Sequence, residues 1–130
     1  MAELPESSVD ALVVAVLAVG GWPAERVVRA LPRLRAAGVL IPQAVTDMDL
    51  GVLTVALAKN GYGRGLLTSM YAERLQALMR EVASGQLDRL PELVRSGDRD
   101  MFERCLKQIH GVGPKVAGRA WESMAKPSPA

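Results

Sequence analysis

Glycine cuts this chain into pieces about as long as ordinary helices, and that spacing restricts the possible folds more than any other feature of the sequence. Breaks fall at Gly20-Gly21, Gly38, Asn60-Gly61, Gly85 and Gly97, with a last one between Gly111 and Gly113. The pieces between them carry apolar residues three and four apart, the mark of a helix with one buried face. The clearest piece, "LLTSMYAERLQALMREVAS", places Leu67, Met70, Tyr71, Leu75, Leu78, Met79 and Val82 at that spacing before Gly85 stops it. "ALVVAVLAVGG" (11–21) is apolar nearly all round and suits a central helix. It is too short to span a bilayer and follows acidic residues rather than a basic leader. Aromatic residues make up only 4% of the chain against 49% apolar overall, so a core of Leu, Val, Ala and Met fits better than a β-sandwich. The expectation is one compact all-α domain over residues 1–125, about seven or eight short helices, followed by a disordered tail at 126–130.

Local signals place the ends of these helices. Ser7 or Ser8 is a candidate N-cap for the first, and Gly20-Gly21 its stop. Pro23 suits the first turn of the second helix, which Pro32 is expected to kink or divide before Gly38. "LIPQAVTDMD" reads as a connection whose Thr46 or Asp47 caps "LGVLTVALAK". "GYGRG" reads as a loop, and "DRDMFERCLKQI" as a helix capped by Asp98 or Asp100. Tyr62, Trp22 and Trp121 read as packing residues, Cys105 as buried, and Arg64, Arg95, Arg99 and Arg104 as solvated.

The stretch "QIHGVGPKVAG" (108–118) asks for more than a connection. Pro114 sits where a helix begins and its missing N–H would be unpaired anyway. The flanking glycines permit positive φ and carry no Cβ to block an approaching group. The first turn of the following helix offers free N–H groups and partial positive charge, a setting for an anion. Lys115 and Arg119 lie four apart and extend that charge, while Val112 can turn inward and Val116, Ala117 and Ala120 can pack on the preceding helix. From Arg104 to Ala130 there are five basic residues and one acid, Glu122, within a chain of net charge +2. The C-terminal quarter is the electropositive end.

"LKQIHGVGPKVA" (106–117) resembles the helix-hairpin-helix motif of DNA-binding and repair proteins, over 102–124. "DALVVAVLAVGG" and "NGYGRGLL", in that order before it, make the whole chain similar to the central helical domain of the endonuclease III-like DNA glycosylase superfamily. The resemblance implies a partner, double-stranded DNA, damaged or abasic, held without sequence readout in base excision repair. It implies backbone contact with a phosphate at Gly111, Gly113, Lys115 and Val116, with His110, Val112, Pro114 and Arg119 beside them. It also implies a monovalent cation, Na+ or K+, on the carbonyls of Lys107, Ile109 and Val112. Lys115 stands where the bifunctional members carry the amine that attacks C1′ of the damaged nucleotide, in an electropositive setting that favours an amine nucleophile. The family's aspartate beyond the hairpin has no counterpart, since no Asp follows Asp100. Its wedge-forming Gln corresponds to Gly20 or Gly21, and the lysine opening its long helix to about Leu66. A non-catalytic DNA-binding module and a helical interaction domain with a purely structural hairpin stand beside the lyase reading.

One cysteine and one histidine, His110, exclude an internal disulfide, an iron–sulfur cluster ligated within the chain and a His-based zinc site. A reducing cytoplasm is the expected compartment, at the nucleoid if the source is bacterial.

Overall fold

The computed structural model describes residues 4–125, and the tail expected at 126–130 lies outside them. Eight α-helices occur among the described residues: α1 (Glu6–Leu17), α2 (Ala24–Ala36), α3 (Pro42–Thr46), α4 (Leu50–Lys59), α5 (Thr68–Ser84), α6 (Leu90–Ser96), α7 (Arg99–Lys107) and α8 (Pro114–Ala125). A 3-10 turn, Gly65–Leu67, leads into α5. The all-α expectation and the helix number both hold. Gly85 and Gly97 end α5 and α6 in the left-handed conformation, at φ 84° and 74°, which a residue without Cβ adopts at little cost.

Two groups of helices share α1. On one side α5 is the spine, packed by α3, α4 and α1; on the other α8 packs on α1, α7 and α6. Leu12, Val13, Val16 and Leu17 of α1 are buried, as its nearly uniform apolarity predicts. Leu34, Leu53, Leu57, Leu75, Leu78, Leu90, Phe102 and Ala117 complete a core that is apolar apart from Thr68. The Thr68 hydroxyl accepts from the Arg64 N–H and donates to the Gly65 carbonyl, so it is buried with its hydrogen bonds made.

Several boundaries differ from the sequence expectation. The first helix begins at Glu6, before Ser7 and Ser8, because the Pro5 carbonyl accepts from the N–H groups of Ser8 and Val9. Pro32 does not divide α2. It sits on the exposed side between buried Leu31 and Leu34, whose burial carries the helix past the missing N–H. The segment read as a connection contains α3, and the cap of α4 is Asp49, accepting from the Val52 N–H, rather than Thr46 or Asp47. Thr46 is already engaged, donating to the Pro42 carbonyl, and Asp47 accepts from Gln43. Asp98 caps α7 through the Met101 N–H, as one of the two expected alternatives. Cys105 is half-buried rather than buried.

Candidate nucleic-acid interface

Helices α7 and α8 are joined by the turn 108–113 and pack on each other. The side chains that hold them are those with the right apolar spacing. Ile109 and Val112 turn inward from the loop, Val116, Ala117 and Ala120 from α8, and Phe102 and Leu106 from α7. Phe102 meets Trp121 edge to face, with ring centroids 5.2 Å apart. The turn itself is closed by one hydrogen bond, from the Val112 N–H to the Ile109 carbonyl.

The two glycines of the turn do different things. Gly111 has φ 86°, and a Cβ there would stand 2.7 Å from the Arg74 side chain of α5. It is needed both for the bend and for close approach to α5. Gly113 is not at positive φ, and a Cβ on it would meet nothing within 4 Å. The fold itself does not explain a glycine at 113.

Among the described residues, the backbone N–H groups of Gly111, Gly113, Lys115 and Val116 donate no hydrogen bond. Of the carbonyls expected to hold a cation, Ile109 accepts from Val112, while those of Lys107 and Val112 accept no backbone bond among the described residues. No group of three or more His, Cys, Asp and Glu side chains is placed to hold a metal ion there.

Lys115 is exposed on the first turn of α8, and Pro114 is exposed beside it. Arg119 lies one helical turn further, and its guanidinium donates to the Ala18 carbonyl at the end of α1. Lys115 and Arg119 thus share a helix face without sharing a target. His110 is exposed, with its Nε2 3.6 Å from Glu73 of α5, the carboxylate nearest the turn.

A second glycine turn stands beside the first. Gly20 and Gly21, at φ 64° and 92°, join α1 to α2. Gly20 lies against the Tyr71 hydroxyl and Arg64, and Tyr71 precedes Arg74 by three residues on α5, so the two turns flank the same stretch of that helix. Arg64, expected to be solvated, is tied down here. Its Nη1 donates to the Val19 carbonyl (2.7 Å) and the Tyr62 hydroxyl (3.2 Å), and its Nη2 to the Gly20 carbonyl (2.8 Å). Its guanidinium also lies 4.2 Å from the Tyr71 ring centre. Tyr62 is fully buried, as expected, and donates to the Leu17 carbonyl. Burial pushes its phenol up to about 12, against the lowering pull of Arg64.

The ion pairs among the described residues are Arg35 with Glu6 and Asp10, Arg95 with Glu92, Arg99 with Glu103, and His110 with Glu73. Arg95 and Arg99 are therefore paired rather than merely solvated. Arg26, Arg64, Arg74, Lys115 and Arg119, around the two turns, pair with no carboxylate among the described residues. The roles of Arg64 and Arg74 escape a sequence reading because what they touch lies far along the chain, whereas Arg26 stacks on Trp22 only four residues before it. No helix among the described residues is long and apolar enough to cross a membrane. No protein-family model, curated protein or solved structure matches the chain.

Proposed function

We propose that this chain binds double-stranded DNA through the turn from Ile109 to Val116, with α7 and α8 acting as a helix-hairpin-helix motif. The observation that carries the reading is the set of undonated N–H groups at Gly111, Gly113, Lys115 and Val116, beside an exposed lysine, where a glycine at 113 serves no need of the fold. Phosphate oxygens supply the acceptors such a site lacks, and the start of α8 adds partial positive charge. Contacts of this kind position a protein on DNA without reading its sequence. A monovalent cation bridging the carbonyls of Lys107, Ile109 and Val112 to the phosphate would be held by the same turn. The exposed, unpaired Lys115 amine also favours a second activity on abasic DNA. It would condense with the C1′ aldehyde and release water, and the resulting imine is reducible by borohydride.

A titration of labelled duplex over a range of salt concentrations tests the binding. A grip on two to four phosphates gives a slope of log K against log[salt] of roughly −2 to −4. Gly113→Ala leaves the melting temperature unchanged, since its methyl meets no protein atom. The same methyl stands in the way of a phosphate and lowers affinity about tenfold, the worth of one charge-assisted hydrogen bond. Salt-indifferent binding, or a Gly113→Ala variant that binds like the parent, removes the DNA reading and leaves the hairpin structural.

A further inference from the structure

We infer that Arg26 is a second phosphate contact, so that the DNA-facing surface runs from the Gly111–Lys115 turn across to the start of α2; the inference rests on the DNA reading above. Arg26 is exposed on the first turns of α2, and its guanidinium lies 4.0 Å from the centre of the Trp22 ring. Trp22 is itself fixed, half-buried with its ring centre 4.7 Å from that of Tyr62. A guanidinium laid on an anchored indole loses little further freedom when it meets an anion. It also keeps its in-plane N–H donors free, since Arg26 makes no side-chain hydrogen bond or ion pair among the described residues. Those donors form the planar fork that suits two phosphate oxygens at once.

Two chains of contact link the Trp22–Arg26 end of the molecule to the hairpin that carries Lys115. Along α8, Arg119 follows Lys115 by one turn, about 6 Å along the axis, and Arg119 and Trp22 line one groove of about 480 Å³ with Pro23, Ala24 and Ser123. Along α5, Gly111 packs on Arg74, Arg74 lies 5.3 Å from the Tyr71 ring centre, and Tyr71 packs on Gly20, two residues before Trp22. Between the two ends the backbone is kept low by Gly20 and Gly21, and a Cβ on Gly21 would meet nothing within 4 Å. Arg64 and Arg119 stand on the same surface but are occupied by the carbonyls of Val19, Gly20 and Ala18, so they position the Gly20–Trp22 turn rather than touch the ligand. The acids of the surface are Glu25, Glu73 and Glu122. None pairs with Arg26 or Lys115, and their presence limits the surface to discrete contacts instead of a continuous basic stripe.

The test is the salt dependence of duplex binding for the parent, Arg26→Ala, Arg26→Lys, Lys115→Ala and the control Arg95→Ala, each checked for an unchanged melting temperature. Arg26→Ala and Lys115→Ala each lower affinity about tenfold and make the slope shallower by about one, while Arg95→Ala does neither. Arg26→Lys keeps the slope, because the charge remains, and loses part of the affinity with the planar fork. If Lys115→Ala behaves this way while Arg26→Ala binds like the parent, the second contact is overturned and the DNA reading stands. If the parent shows no salt-dependent binding to duplex, both fall together.

Discussion

Among the places where the chain leaves a helix on glycine and enters the next one through proline, two invite comparison, Gly20-Gly21-Trp22-Pro23 and Gly111-Val112-Gly113-Pro114. The two turns have the same local chemistry and opposite surroundings. The first is closed: its Val19 and Gly20 carbonyls accept from Arg64, 45 and 44 residues away in sequence, and the Ala18 carbonyl just before it accepts from Arg119. The first turn of α2 carries Glu25 next to Arg26. The second is open: no side chain from another helix donates to its carbonyls among the described residues, and the first turn of α8 carries Lys115 and no acid. Glycine and proline specify that a turn forms. Side chains arriving from distant helices decide whether it is a joint or a grip.

That distinction can be broken experimentally, and the largest effect is expected where the closed turn is opened. Arg64→Ala leaves the Gly20 carbonyl without its donor and the Val19 carbonyl with only the Trp22 N–H, and removes the cation from the Tyr71 face. It should cost about 3 kcal/mol, read as a lower denaturation midpoint with an unchanged m-value. No comparable loss is expected for Lys115→Ala, which contacts no other element. A near-parental midpoint for Arg64→Ala would mean that both turns are held by their own backbones.

A smaller difference separates the glycines. Alanine at 111 meets both a left-handed backbone and the Arg74 stem, and should cost about 2–3 kcal/mol. Alanine at 21 meets only the backbone cost, about 1 kcal/mol. Equal losses at the two positions would show that the hairpin turn is not pressed against α5.

The smallest effect sharpens the closed side alone. The Tyr62 phenol is held neutral in the fold, at about 12 against its ordinary 10. The stability from this group is complete below pH 10 and is lost as pH rises toward 12, because the unfolded chain ionises first. Tyr62→Phe should flatten the fall in stability across that window, at the expense of the Leu17 bond. If the slope between pH 10 and 12 is the same in both proteins, other groups govern it.

What the sequence made legible follows the range of the interactions. Glycine stops at 85 and 97, the apolar stripes of α5 and α8, and the Asp98 cap are all written within a few residues of where they act, and they were readable. The start of α1 was placed two residues late, because a proline carbonyl did the capping that a serine hydroxyl was expected to do. The cap of α4 was missed because three polar residues, Thr46, Asp47 and Asp49, compete for it, and the first two are already engaged. Arg64 was read as solvated, since nothing near it in sequence accepts its hydrogen bonds. The hairpin residues themselves were legible as a turn between two helices. That Gly111 serves the packing and Gly113 does not could only come from Arg74, a residue on another helix.

The contact between Arg119 and Ala18 spans 101 residues, and α1 packs on α8 along the same seam. α1 is apolar nearly all round, and α8 is the partner furthest from it along the chain. Until α8 docks, α1 therefore lacks part of its cover. Closing so long a loop delays the final docking, while α5 with α3 and α4 can assemble from nearer neighbours. The interval leaves a greasy helix exposed to chaperones or to aggregation. Docking of α8 thus completes the packing around α1.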